Sequence, residues 1–218
     1  MSIRHNARET SSFPQTVNRM AEEDDKDKEN GADKKSSPAL DARLFDARVV
    51  MVFGEINDKI ARDVTGRMLA LAHASDEPIK MFINSPGGHV ESGDTIHDMI
   101  QFVSTKCPVY AIGTGWVASA GALIFLGAEK KNRICLPNTR FLLHQPMGGV
   151  RGPAVDIDIE AREIIKLRDR INKIISDETG QDLEKVAADT DRNYWMSADE
   201  AISYGLVDRV VKTLGEVE

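Results

Sequence analysis

The 218-residue chain has only two cysteines, Cys107 and Cys135, and their separation matches no metal-ligand spacing. Its five histidines, His5, His73, His89, His97 and His144, include no HExxH pair, so neither a metal centre nor a cofactor is expected. There is no GxxxxGK[ST] motif, and GTGWVA at 113–118 lacks the third glycine of GxGxxG, which excludes ATP hydrolysis by a P-loop. No apolar run approaches the roughly eighteen residues of a membrane span. The start MSIRHNARET carries no apolar signal-peptide core, so a reducing, cytoplasmic setting is expected. Basic residues number 28 against 35 acidic ones, a net charge of −7 with no long Lys/Arg run, which argues against nucleic acid or an anionic membrane as the principal partner.

What is present divides unevenly. Residues 1–40 hold seven basic and eight acidic side chains, one aromatic (Phe13) and few aliphatics, a composition that cannot bury enough apolar surface to offset its ordering entropy. A charged, disordered arm is expected over 1–40 and one folded domain over 41–218. From Arg48 onward VVMVFG, a helical stretch over 58–74, IKMFINSPGG, a helix over 91–103 and PVYAIGTG alternate strand and helix patterns, followed by ALIFLGA, ICLP and TRFLLHQPMGG. This order predicts an α/β fold with parallel strand pairing. The last large element spans about 154–177, with Ile157, Ala161, Ile164, Ile171 and Ile174/Ile175 at helical spacing and Thr179-Gly180 as its stop. Its apolar stripe is expected to pack partly on another subunit.

Three segments carry the chemistry. Ser119 follows a glycine-containing strand and precedes ALIFLGA, among neighbours small enough to admit a substrate backbone; at a helix start its hydroxyl lies in a favourable dipole, and the amide after it can help to hold an oxyanion. Val117 stands two positions before it, so this is not the GxSxG elbow. His144 ends the apolar strand FLLH just before a glycine-rich loop. Asn84-Ser85-Pro86-Gly87-Gly88 ends MFI, where paired glycines let main-chain N–H groups approach a ligand. Taken singly, Ser119 also fits a helix N-cap and His144 a structural histidine. Together the three point to acyl transfer or hydrolysis by a serine.

INSPGG at 83–88, GWVASAGA at 115–122, LPNTRFLLHQPMGG at 136–149, the AREI-containing helix and TGQDLEKVAADTDRNYWMSADEAISYGLVD at 179–208 resemble, in order and over about 40–212, the proteolytic subunit of the Clp protease, ClpP. The resemblance implies a serine peptidase with Ser119 as nucleophile, His144 as general base and the amides of Gly88 and Ala120 as oxyanion hole. It implies the ClpP/crotonase-like fold of stacked ββα units with a protruding handle helix, two stacked heptameric rings enclosing a chamber, unfolded polypeptide substrates, and an ATP-dependent unfoldase such as ClpX or ClpA as partner. At the family's third triad position, an Asp, this chain has Asn193; Asp189 and Asp191 are near in sequence but do not occupy it. Asn supplies no negative charge to the imidazolium, so a weak peptidase is expected, or alternatively a structural or regulatory subunit working in mixed rings with an active paralogue. A crotonase-like thioester enzyme using the same two amides is the remaining alternative.

Overall fold

The structure, a computed structural model, describes residues 37–217. Most of the expected arm, 1–36, lies outside the described residues, and the compact unit begins at Ala39. The arm's expected end falls inside a helix, α1 (Pro38–Asp46), where Pro38 sits at the first position, the one place a helix accepts proline without loss.

Parallel strands and helices then alternate: β1 (Val49–Phe53), α2 (Asp58–Ala74), β2 (Ile79–Ser85), α3 (Val90–Ser104) and β3 (Val109–Ala118). ALIFLGA forms a short helix, α4 (Ala120–Leu126), in which every residue is buried. There follow β4 (Arg133–Cys135), β5 (Arg140–Leu143), the 26-residue α5 (Ala154–Thr179), α6 (Leu183–Thr190), β6 (Tyr194–Met196), α7 (Ala198–Tyr204) and β7 (Arg209–Val210). The main sheet runs β1-β2-β3-β4-β7, and every pair in it is parallel.

Alternation decides the core. In β2 the side chains of Ile79, Met81, Ile83 and Ser85 are buried and face the helices, while Lys80, Phe82 and Asn84 face the other way. α2 packs on α3, α3 on α4 and α4 on α5 above that main core. A smaller cluster of Ile112, Ile134, Val211 and Val217, joined by Phe82, Tyr110 and Leu136, occupies the opposite face. The C-terminal end of α5 is fastened to β4 by Arg133, fully buried, whose Nη2 donates to the Glu178 carbonyl at 2.7 Å. No described helix is long and apolar enough to cross a membrane.

One strand serves two neighbours. Ala111–Gly113 of β3 pair with β4, whereas Trp116–Ala118 pair with β5, after a register shift opposite β2 between Ile83 and Ser85. β5 in turn pairs antiparallel with β6. The last residues of β3, with β5 and β6, thus form a three-stranded ribbon branching from the main sheet.

α5 differs in part from expectation. Its C-terminal half is anchored by buried Asn172, Ile175 and Thr179, with Ile171 and Ile174 packed against the core. In its N-terminal half, Val155 is 71%, Ile157 41% and Ile159 52% exposed. The unpartnered apolar surface is therefore nearer the N-terminus than the expected stripe, and Ile171 belongs to the protein's own interior.

Candidate active site

All three residues singled out as a triad lie at one end of the ribbon. Ser119 follows the last residue of β3, His144 follows the last residue of β5, and Asn193 precedes the first residue of β6. Antiparallel pairing sets Leu143 opposite Tyr194, so the next position along β5 meets the preceding one of β6, and His144 and Asn193 face the same gap. Ser119 is tied to β5 directly, its N–H donating to the Leu142 carbonyl at 2.9 Å.

Ser119 has φ 55° and ψ −122°, a conformation that a non-glycine residue holds only at a cost of order 1–3 kcal/mol. Its carbonyl accepts from the N–H groups of Ala122 and Leu123 at 2.9 and 3.1 Å, so the strained residue is welded to the start of α4. Its side chain makes no capping bond. The N-cap explanation of this serine thus fails, and the hydroxyl is left to the cleft.

That cleft is lined by Ser119, Ala120, His144 and an apolar wall including Val90, Leu123, Ile171 and Ile175. α4 delivers Leu123 one turn after the serine, and the anchored half of α5 supplies the two isoleucines.

The glycine loop presses on the serine from the other side. A Cβ on Gly87 would lie 2.6 Å from Ser119 Cβ and 3.1 Å from its Oγ; one on Gly88 would lie 2.3 Å from the Ile56 carbonyl oxygen. With φ of +102° and +143°, neither position admits another residue. The Gly87 N–H donates to Ser85 Oγ at 3.1 Å, and the Gly87 carbonyl accepts from the Ile56 N–H at 2.8 Å. Because a trans peptide points its C=O and N–H to opposite sides, fixing that carbonyl on Ile56 turns the Gly88 N–H away from Ile56. The His89 N–H then donates back to Ile56 O at 2.9 Å. Ala120, opening α4, carries one of the amides that a helix leaves without an internal partner.

His144 is oriented by an unexpected group. Its Nδ1 lies 2.6 Å from the main-chain oxygen of Gln145, and since a carbonyl only accepts, Nδ1 carries a proton; in the neutral ring the lone pair is then on Nε2. Gln145 is pinned in turn: its N–H donates to Thr190 O at 2.7 Å and its Nε2 to Asp191 O at 2.8 Å. Among the described residues no hydrogen bond joins the imidazole to Asn193 or to Ser119 Oγ. Asn193 is exposed and shares a second, wider opening with His144, Gln145, Ile164, Asp191 and Arg192. Neither nearby carboxylate replaces it. Asp191 accepts from Gln145 Nε2 at 3.3 Å, and Asp189 is held by Lys185 and by the buried Tyr204 hydroxyl at 3.0 Å.

Sequence reasoning missed Gln145 because a main-chain carbonyl leaves no trace in residue type. The part of Gly87, whose missing side chain makes room for the serine, was visible in the paired glycines only as a general licence for close approach.

A Clp protease family model matches residues 32–214. The chain is 70% identical over 179 residues to the ATP-dependent Clp protease proteolytic subunit 2 of Gluconobacter oxydans, covering 82% of this chain and 80% of that one. It is 56% identical over 196 residues to proteolytic subunit 3 of Rhizobium etli, with 90% and 98% covered.

The chain belongs to the Clp protease family. It is a serine peptidase by that membership, and its fold is that of ClpP. Solved structures of ClpP1 from Listeria monocytogenes are similar to it at TM-scores of 0.76, for a mutant in which an Asn is changed to Asp, and 0.74, for the unmodified chain. Identity is 50% and 49%, with 82% of this chain and 99% of each of those covered.

Proposed function

We propose that the chain is a proteolytic subunit that cleaves peptide bonds of unfolded polypeptides through Ser119, inside a ring-shaped chamber in the cytoplasm fed by an ATP-dependent unfoldase. The observation that carries the reading is Ser119 itself: a non-glycine residue held at φ 55° at a strand-to-helix turn, its hydroxyl uncapped in a cleft that also holds His144. Backbone strain of this kind persists only where the surroundings impose it.

In the proposed cycle Ser119 Oγ attacks the scissile carbonyl while its proton passes to His144 Nε2. The carbonyl oxygen becomes an oxyanion held by the amides of Gly88 and Ala120, and collapse of the intermediate expels the amine, which takes the proton from His144. Water, deprotonated by His144, then hydrolyses the acyl ester and restores the Ser119 hydroxyl. The wall of Val90, Leu123, Ile171 and Ile175 suits an apolar side chain on the acyl side of the cleaved bond.

The Nδ1 contact favours a second reading alongside the first. Gln145 O holds His144 in the tautomer a general base needs, but a neutral carbonyl offers far less than a carboxylate to the imidazolium that forms. The homo-oligomer alone is then a slow peptidase, and full activity requires mixed rings with a paralogue carrying the Asp. The exposed apolar half of α5 supports assembly through two stacked rings.

A fluorophosphonate probe on the purified chain, with peptide mapping and Ser119→Ala as control, tests the nucleophile. Labelling confined to Ser119 supports the reading, and an unlabelled Ser119 in an assembled ring overturns it. Cleavage of a fluorogenic peptide before and after mixing with an intact paralogue separates the slow enzyme from the dependent subunit.

A further inference from the structure

The glycine loop is cross-tied by side chains as well as by main chain. His89, the residue after Gly88, is the N-cap of α3 but makes no capping bond with its side chain. Its Nδ1 instead lies 2.8 Å from Ser92 Oγ, and Ser92 Oγ lies 2.6 Å from Asp58 Oδ1. The direction of this chain is fixed by chemistry. A carboxylate only accepts, so the Ser92 hydroxyl gives its single proton to Asp58, and His89 Nδ1 must carry a proton and donate to Ser92. Ser92 is 2% exposed, so the middle of the relay is sheltered from competing water, while the side chains of His89 and Asp58 at its two ends are 53% and 91% exposed.

The relay crosses the same gap as the backbone bridge. Ile56 bonds Gly87 and His89 through main-chain atoms, and Asp58, two residues after Ile56, bonds Ser92, three residues after His89. The two sets of bonds close a loop through Ile56, Asp58, Ser92, His89 and Gly88, tying the N-terminus of α2 to that of α3. The main-chain bonds set which way the Gly87–Gly88 peptide faces, and the side-chain relay limits how far the segment after it can swing. None of this belongs to the Ser119 and His144 machinery; the imidazole, half exposed, also lies 3.4 Å from Asp58 Oδ1 through Nδ1 and 3.2 Å from Glu91 through Nε2.

We propose that His89 is a positioning residue for the Gly88 amide, acting through a hydrogen-bond relay to Ser92 and Asp58. The proposal rests on the reading of that amide as an oxyanion donor. A preorganised donor is worth about 10²–10³ in kcat, and a displacement of about 1 Å costs up to about 10², so loosening the loop should lower turnover with little effect on binding to the apolar wall, of which only Val90 adjoins His89 while Leu123, Ile171 and Ile175 lie on α4 and α5.

Substitutions at His89 and Ser92 provide a test that separates hydrogen bonding from packing. The amide nitrogen of Asn occupies the place of histidine Nδ1, whereas that of Gln reaches toward Nε2. Fluorophosphonate labelling rates of Ser119 and steady-state peptide cleavage are to be measured on assembled wild type, His89→Asn, His89→Gln, His89→Ala and Ser92→Ala, with thermal unfolding as a check of folding. The expected result is a fall of about tenfold in labelling rate and kcat, at unchanged KM, for His89→Gln, His89→Ala and Ser92→Ala, with His89→Asn within about twofold of wild type. The double variant His89→Ala/Ser92→Ala should be no worse than either single one. Equal rates for all variants, a change confined to KM, or Asn behaving as Ala would overturn the proposal while leaving the Ser119 reading intact. Failure of the wild-type chain to label would overturn both.

Discussion

His144 donates its Nδ1 proton to the main-chain oxygen of the next residue, Gln145, at 2.6 Å, and not to Asn193, although Asn193 faces it across the β5–β6 pair. A carbonyl in this place preserves the tautomer and forgoes the charge. In the proposed mechanism the tautomer puts the basic lone pair on Nε2, and the missing charge would leave the imidazolium of the transition state without its usual counter-ion.

Restoring the charge should restore the rate. The reverse change, Asp to Asn, in a well-known serine protease costs about 10⁴ in kcat, or about 5.5 kcal/mol. Asn193→Asp is expected to raise peptide cleavage by the homo-oligomer at least tenfold, short of the full factor because the Gln145 contact competes for Nδ1. A fluorogenic peptide assay reads this, and equal rates would show that the third position is not what limits the chain.

Gly87→Ala places a methyl group 2.6 Å from Ser119 Cβ at a φ of +102°. The serine side chain or the loop must move. Peptide cleavage and Ser119 labelling should both fall by more than about tenfold, the scale of a misplaced nucleophile or oxyanion donor. A labelling rate like that of wild type would remove Gly87 from the site.

Assembly and pocket should respond to different isoleucines of α5. Val155→Glu with Ile159→Glu, one turn apart on its exposed half, is expected to split the proposed stacked rings in size-exclusion or light-scattering measurements without disturbing the fold. Ile171→Glu, which lines the Ser119 cleft, should instead impair peptide binding. Intact double rings in the first variant would count against the handle as the interface.

Both cysteines are buried, and burial pushes the Cys107 thiol up from its ordinary value and the Cys135 thiol up to about 11. At pH 8 only about one Cys135 in a thousand is then thiolate, so iodoacetamide should label neither residue until the chain is unfolded, as mass spectrometry can show. A raised folded pKa favours the native state fully below the unfolded value of 9.0, and that contribution is lost as pH rises toward 11. Unfolding midpoints measured across this window should fall.

Much of this was legible in the sequence. The α2 boundaries at Asp58 and Ala74 and the stop at Gly180 followed from periodicity and caps, because each is fixed by local chemistry. Ser119 and His144 could be picked out because small neighbours and an abrupt strand end mark them. Other features depend on contacts between segments distant in the chain. That β3 changes partner at mid-length, that Tyr194–Met196 is a strand, and that Ile171 faces inward while Val155 faces out are outcomes of tertiary packing. Asn193 was found by resemblance alone, and its exposure and lack of a bond to His144 by structure alone.

The branching of β3 has a mechanical consequence. Ser119, His144 and Asn193 ride on one ribbon that meets the rest of the sheet only through the last residues of β3, whereas the Gly87–Gly88 loop rides on β2 and the Ile56 segment. A tilt of the ribbon would carry Ser119 and His144 together, hinged at the Ser85–Val117 pairing that ties the end of β3 to β2. Anything that grips β5 or the adjoining loop from outside would therefore act on Ser119 and His144 together, and on their register with the Gly87–Gly88 loop.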